Sequence, residues 1–484
     1  MNRLQLSNYY GLYLGIFFLG QFLVLPILTP FMIAFGASIK EIAIIMATMG
    51  LTVMLLELPT GGLADEIGRK KVFLFSLLLN ILSLVILFIW PNFYCAVIAM
   101  FFWGAGIALC SGTITAWFVE TFNTADGDIS LQEGLARVGF RTNGLGAIGA
   151  LLCAGFMYFG GMVNIDELTL YRFLLLGGLS CYVIVYVLML LWVTETRTFQ
   201  RISLRSLVDL PQQIQAGAKA VRHPILWRLM LTALLTIPLA SAIEKYWPVQ
   251  FELLSGEDPV GWAYGLIYAA TLFLGSIAAR VTTLVCKGLD QQLGKVLFVG
   301  LIFQLSMATV LALSNNLFVF ALFFICYDFS AELGASAKGQ LQHQATQDKV
   351  RSTVDSISSL NSRIGGLIGT LVCGLGAAYV GLTTTWLMCV LLASLAGVVY
   401  VSNAFKKGDT VLVHIIQGTG ADKLAHEPEC PFVFLDSLCG KTMKRASFSG
   451  KDMTRGMERY VCPENHRITL VKKSKKSKNF KGWK

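Results

Sequence analysis

Charged side chains lie inside several of the long apolar segments of this 484-residue chain. Asp328 and Glu332, in FFICYDFSAELGA, are four residues apart and therefore share one face of a helix. Two carboxylates on one face can bind a cation or share a proton. The alternative is a structural pairing with Arg363 or Lys338. Because ionisable groups are costly in an apolar environment, we predict a role for this group in ion coupling or substrate binding.

Two further polar residues lie in apolar segments near prolines. Glu57 comes near the end of the second segment and is followed by Pro59, so it could exchange a proton or simply pair with a neighbouring helix. Gln21 lies in the first segment, shortly before Pro26 and Pro30. Polar residues in broken helices often line a cavity, which is the role that we predict for Gln21.

The seventh apolar segment contains the mixed stretch EKYWP, from Glu244 to Pro248. Charges beside aromatic residues are typical of the interface between membrane and water. We therefore predict an interface anchor, with contact to a ligand as the alternative.

Four possible metal ligands lie near the end of the chain, namely Cys430, Cys439, Cys462 and His466. Thiolates and imidazole suit zinc, which takes four such ligands in structural sites. Eight residues separate the first two cysteines, which is wider than the usual spacing, so free thiols are the alternative. No other cofactor is predicted, because Gly440-Lys441-Thr442 lacks the upstream glycine of a nucleotide-binding loop.

The elements that must position these residues are membrane-spanning helices. The chain is 55% hydrophobic and only 14% charged, too little charge to solvate soluble domains. We find twelve segments long enough to cross a bilayer. They predict an all-α membrane protein with six helices in residues 1–194, a linker at 195–225, six helices in 226–404 and a tail at 405–484. The segments are 9–35, 42–60, 72–90, 94–119, 141–161, 171–194, 226–249, 261–285, 295–314, 316–337, 353–379 and 382–404.

Lysine and arginine are concentrated at one set of segment ends, so both termini are predicted to be cytoplasmic. The tail is strongly basic, with 17 Lys and Arg against 8 Asp and Glu. Its runs VLVHII and RITLV predict a small β-rich module. Its lysine-rich end, KKSKKSKNFKGWK, would be attracted to anionic membrane lipids, whereas nucleic acid is an unlikely partner. A solvated tail without a partner is the alternative.

The connection between the second and third segments reads ELPTGGLADEIGRKK, from Glu57 to Lys71. This pattern resembles the signature of the major facilitator superfamily of transporters, and the fourth segment, GAGIALCSGTITAWFVET, is similar to bacterial drug-efflux branches. The resemblance covers about residues 1–404 and implies two six-helix bundles that give alternating access to a site between them. The matching positions are Gly61, Leu63, Ala64, Asp65, Gly68, Arg69 and Lys70, with Glu120 at the end of the fourth segment.

The resemblance also implies a conformational latch formed by Gly61, Asp65, Gly68, Arg69, Lys70 and Glu120. Asp65 would face the positive N-terminus of the eleventh helix, and Arg69 would reach Glu120. The alternative is that the bases only fix the topology and the glycines only make a turn.

We therefore expect a secondary transporter, not an enzyme, that exports a small organic, amphipathic compound, with protons or another ion as candidate coupling ions. It is expected to be a monomer in the cell membrane, the inner membrane of a bacterium. Uptake of a nutrient or sugar is one alternative, and a transporter-like sensor that signals through its tail is another.

Overall fold

The computed structural model describes residues 2–111, 113–193, 223–256, 260–289, 293–346 and 351–401, together with short strands between 412 and 471. Within these helical ranges, side chains are described except at 58–66, 279, 283, 287–288, 336, 344 and 351–353. The linker residues 195–222, the predicted zinc ligands and the lysine-rich end lie outside the described residues, and the predictions made for them stay predictions.

Twelve helices in the described residues are long and apolar enough to cross a membrane, which confirms the predicted number. In the first half these are α1 (Arg3–Ala34), α2 (Ile39–Ile67), α3 (Arg69–Ile89), α4 (Phe93–Thr124), α5 (Leu131–Met162) and α6 (Glu167–Trp192). In the second half they are α7 (Pro224–Ser255), α8 (Gly261–Gly288), α9 (Leu293–Leu313), α10 (Leu317–Gln344), α11 (Arg351–Val380) and α12 (Leu382–Val401).

Two of these helices are interrupted where the sequence disfavours regular hydrogen bonding. A 3₁₀ turn, Leu25–Ile27, breaks α1 at Pro26, as the prolines predict. The first part of α4 ends at Cys110, and Ser111 has an extended ψ of 119° before the helix resumes at Thr113.

The charged connection between α2 and α3 is much shorter than its composition predicts. Helix α2 continues to Ile67, and the chain turns at Gly68 alone, whose φ is 108°. Left-handed φ values are accessible to glycine without a steric penalty, so one residue is enough to separate two helices. We call the end of the molecule that carries Gly68 the signature end. The opposite end, with the α1–α2 connection at 35–38, is the distal end.

The helices form two six-helix bundles, α1–α6 and α7–α12, with equivalent packing. In the first bundle α1 packs against α5 and α6, and in the second α7 packs against α11 and α12. The bundles meet through two equivalent pairs of helices, α2 with α11 and α5 with α8. Internal repetition of this kind is typical of transporters built from duplicated halves.

The apolar core is shared at one end of the molecule and divided at the other. One cluster of buried side chains joins the distal halves of both bundles, including Phe31, Met46, Tyr171, Phe251 and Tyr264. At the signature end, one cluster around Phe118 belongs to the first bundle, and a separate cluster around Leu297 belongs to the second. The apolar core is therefore continuous between the bundles distally and divided between them at the signature end.

Short strands occur among the described residues of the tail, and its β-rich module stays a prediction. A four-stranded sheet has the order β1-β6-β5-β4, and β1 pairs with β6 in parallel. The predicted runs VLVHII and RITLV contain β1 and β6. The strands are β1 (Leu412–His414), β2 (Val433–Phe434), β3 (Ser437–Leu438), β4 (Lys444–Arg445), β5 (Met457–Val461) and β6 (Arg467–Val471).

Candidate functional site

Glu57 lies at the boundary between the bundles, in the signature half of α2. Arg363 of α11 donates from Nε to Glu57 Oε2 at 3.2 Å, and Ser359, one turn earlier, donates to Oε1 at 3.0 Å. The hydroxyl of Ser111, at the break in α4, is 3.5 Å from the same Oε1. The carboxylate therefore joins two helices of its own bundle to α11 of the other. Two roles were considered for Glu57, proton exchange and pairing with a neighbouring helix. This geometry fits the pairing role.

Arg363 is occupied by this ion pair. The sequence offered Arg363 or Lys338 as an alternative partner for Asp328 and Glu332, but the structure brings Arg363 to Glu57. The side chain of Glu57 is 22% exposed and that of Arg363 is 40% exposed, so the ion pair is partly accessible to solvent. Such a pair can form and break at a small cost, because neither charge is fully desolvated.

The signature residues with described side chains hold helices of the first bundle together. Arg69 Nη2 is 3.0 Å from Glu120 Oε1, the pairing that was expected from the sequence, and it joins α3 to α4. Lys70 donates from Nζ to the backbone oxygens of Leu190 at 3.1 Å and Val193 at 2.6 Å, at the C-terminus of α6. A lysine there complements the negative end of the helix dipole.

The remaining latch positions are only partly described. Gly68 supplies the turn between α2 and α3. Gly61 and Asp65 lie in α2, and their side chains are among those not described. Helix α2 packs along α11, as the latch requires, but a contact of Asp65 with that helix stays a prediction.

Three carboxylates lie midway along the second bundle. Asp328 and Glu332 on α10 are close enough for their charges to interact, and Glu244 of α7 joins them. Lys245 Nζ is 2.9 Å from Glu244 Oε1. Among the described residues, Asp328 and Glu332 have no ion-pair partner, so acidic side chains outnumber basic ones in this group.

Aromatic rings surround this acidic group. Trp247 stacks on Phe324 at 4.4 Å between ring centroids and lies 5.8 Å from Tyr268. Tyr268 in turn is near both Glu244 and Asp328. Trp247 is fully buried, so the prediction of an interface anchor is wrong for this residue. The helix passes through the core of the bundle at this point instead of meeting the membrane surface.

Gln21 lies one position before Phe22, whose ring is 6.3 Å from that of Tyr268 across the two bundles. Gln21 is half-buried on α1, just before the 3₁₀ turn. Its predicted role in lining a cavity is compatible with this position and stays a prediction.

No group of His, Cys, Asp and Glu suited to a metal ion occurs within the described ranges. Cys430, Cys439, Cys462 and His466 are not among those residues, so the zinc site remains a prediction. The cysteines of the membrane helices are unpaired thiols in the described part of the chain, as expected for small apolar residues.

The comparisons with known proteins agree with this architecture. The family model described as Major Facilitator Superfamily matches residues 11–370. No curated protein matches the chain.

Solved structures of transporters share the fold. The crystal structure of the nucleoside transporter NupG has a TM-score of 0.64 at 12% identity, covering 83% of this chain and 99% of that one. A bacterial homolog of the human lysosomal transporter Spinster, in an inward-facing and unoccupied conformation, has a TM-score of 0.63 at 12% identity, covering 82% of this chain and 96% of that one. The family match spans well over half of the sequence, and the helices form two six-helix bundles with equivalent packing. The chain therefore belongs to the major facilitator superfamily of secondary transporters.

Proposed function

We propose that this transporter exports a small amphipathic organic cation by alternating access. The observation that carries the proposal is the group of carboxylates and aromatic rings around Asp328. Glu244 lies as far from the distal end of α7 at Ser255 as Asp328 lies from the distal end of α10 at Leu317. At a rise of 1.5 Å per residue, both carboxylates are about 16 Å from the distal end, near the middle of a bilayer.

This chemistry suits a cation that also has apolar surface. The carboxylates would attract its charge, and the rings of Tyr268 and Trp247 would contact its apolar part or the charge itself. Asn, Gln and charged side chains are sparse in the spans, which disfavours a sugar, whose hydroxyl groups need many hydrogen-bond partners.

The arrangement of the core supports access from the signature end. The distal halves share one apolar cluster, whereas the signature halves have separate clusters. If the signature end is cytoplasmic, as the distribution of Lys and Arg predicts, a compound could enter the site from the cytoplasm. The homolog of Spinster that shares the fold is described as inward-facing, which agrees with this interpretation.

The same conformation also occurs in a cycle of uptake, so the direction must be tested. We would reconstitute the full chain in liposomes and measure flux of ethidium and tetraphenylphosphonium in both directions, with and without a pH gradient. Uridine would serve as the neutral comparison, because a nucleoside transporter shares the fold.

We expect flux of the cations and none of uridine. The variant Asp328→Asn should lower cation flux by about tenfold or more, the effect of losing roughly 1.4 kcal/mol of binding energy. Glu41→Gln is the matched control, because Glu41 bonds only to Ser38 at the distal end among the contacts described. Uridine uptake, or cation flux that is unchanged in Asp328→Asn, would overturn the proposal.

A further inference from the structure

A lysine of the first bundle lies over an aromatic ring of the second bundle at the distal end. Nζ of Lys40, in the first turn of α2, is 4.7 Å from the centroid of the Tyr379 ring, in the last turn of α11. A cation at this distance from an aromatic face is attracted by the negative charge density of the ring. The contact therefore joins the two bundles through a charge and an aromatic face.

Lys40 reaches this ring only when α2 and α11 are close at their distal ends. A Cβ atom built on Gly374 of α11 would collide with the Cβ atom of Ala43, so the two helices touch about one turn further into the molecule. The attraction acts within about 6 Å of the ring centroid. If the distal ends separate by more than a few ångströms, the ring loses its cation.

Neither partner depends on other polar contacts. In the part of the chain that the structure describes, Lys40 forms no ion pair and no hydrogen bond. The neighbouring carboxylate of Glu41 accepts hydrogen bonds from the backbone and the hydroxyl of Ser38 instead. Tyr379 is 79% exposed, so its ring is accessible to a solute at the distal end.

A tyrosine at the end of a membrane helix is often only an interface anchor, and such a role requires no cation on its face. The position of Lys40 shows instead that this face accepts a positive charge from the other bundle.

We propose that Tyr379 is a second binding site for an organic cation, which it binds on the face that Lys40 occupies in the closed conformation. The class of ligand rests on the proposed function. When the distal ends separate, Lys40 leaves the ring and the organic cation takes its place. When the ends close, Lys40 returns and displaces it to the distal side.

Exchange of two cations on one ring requires that each is held weakly. At an exposed site a contact of this kind changes an equilibrium by about two- to fivefold. The ring can therefore release its cation readily, and it is separate from the carboxylate of Asp328, which lies about 16 Å from the distal end of α10.

Distances between spin labels on the full chain test this proposal. The labels would be placed at Tyr94→Cys and Phe318→Cys, exposed positions in the first turns of α4 and α10, after replacement of the eleven native cysteines. Without a ligand, Lys40→Gln and Tyr379→Leu should each raise the ratio of open to closed distances about two- to fivefold, because each removes the contact. Tyr379→Phe keeps the ring and should behave as the unmodified protein does. Lys295→Gln, which changes an exposed lysine at the signature end, is the matched control and should have no effect.

Tetraethylammonium distinguishes the role of the ring from that of the lysine, because aromatic faces bind quaternary ammonium groups. The titrations would be made in Asp328→Asn, which weakens the other candidate site. With Lys40→Gln the ligand should open the distal end further, at a concentration about two- to fivefold lower than with Lys40 present. With Tyr379→Leu it should have no effect on the distances, and neutral uridine should have none in any variant.

Equal opening by tetraethylammonium with Lys40→Gln and with Tyr379→Leu would overturn the proposal, because the ring would then not be the site. An unchanged ratio of distances in Lys40→Gln without a ligand would overturn it as well. These measurements require no flux. Absence of cation flux in proteoliposomes would contradict the proposed function, whereas the distances decide whether Tyr379 binds a cation.

Discussion

Glu57 makes side-chain contacts that connect the two bundles at their boundary. Its carboxylate is held by Arg363 and Ser359 of α11 and approached by Ser111 of α4. An ion pair that crosses the interface stabilises only those conformations in which α2 and α11 are close at this level. It therefore contributes to the balance between conformations, whereas a pair within one bundle affects all of them alike.

The first prediction concerns this ion pair. Glu57→Ala and Arg363→Ala should each lower transport, and the double variant should lower it no further, because either change breaks the same contact. The coupling energy should be about 0.5 to 1 kcal/mol, as for a partly exposed pair. Initial rates in proteoliposomes would measure it.

The matched control is Glu120→Ala, which breaks the Arg69 pair inside the first bundle. We expect it to lower the melting temperature of the purified protein while leaving the distribution between open and closed distances unchanged. Additive effects of Glu57→Ala and Arg363→Ala would show that the two side chains act independently.

At the scale of elements, the junction of α2 and α3 depends on one backbone conformation. Gly68 has φ 108° and ψ 136°, and Lys70 in the next turn caps α6. The turn therefore sets the direction of α3 and, through Lys70, the position of the last helix of the bundle.

The second prediction follows from this conformation. Gly68→Ala should destabilise the protein by about 1 to 3 kcal/mol, because a side chain strains the backbone at this φ. Gly50→Ala, within α2 and with no neighbouring atom within 4 Å, should instead be neutral or stabilise the helix by up to about 1 kcal/mol. Thermal unfolding in detergent would compare them, and equal effects of the two variants would contradict the prediction.

The sequence predicts the helices well because an apolar run of sufficient length has few other stable structures in a membrane. It misjudges the signature stretch, where charged residues suggest a loop, yet Leu63, Ala64 and Glu66 favour a helix and one glycine is sufficient for the turn. Local composition thus predicts whether a segment is a helix better than it predicts where that helix ends.

The contacts of the site are harder to predict than its residues. Glu57 and Arg363 both stand out as charges in apolar segments, but they are 306 residues apart. Their meeting depends on how closely α2 packs on α11, which small residues such as Ala43 and Gly374 permit.

At the scale of the whole molecule, the basic tail differs in composition from the helical bundles. The third prediction is that deletion of residues 405–484 leaves the rate of transport unchanged, because both candidate sites lie within α1–α12. Flux in proteoliposomes made with the truncated chain would measure this, with the intact chain as the control. A truncated protein that folds but does not transport would favour the alternative in which the tail regulates or signals.

The fourth prediction concerns the contact of α5 with α8, which closes the distal end together with α2 and α11. A Cβ atom at Gly265 of α8 would collide with the backbone oxygen of Ala150 and lie 2.6 Å from the amide nitrogen of Ala154. Backbone atoms cannot rotate away, so Gly265→Ala should separate the bundles distally while each bundle stays folded. We expect open distances between spin labels at Tyr94→Cys and Phe318→Cys, which are exposed positions at the distal ends of α4 and α10.

Transport by Gly265→Ala should fall by about tenfold or more. This fall corresponds to destabilising the closed state by roughly 1.4 kcal/mol. Gly275→Ala is the control in the same helix, because no atom lies within 4 Å of its Cβ position. If Gly265→Ala closed and transported as Gly275→Ala does, the α5–α8 contact would not be required for closure of the distal end.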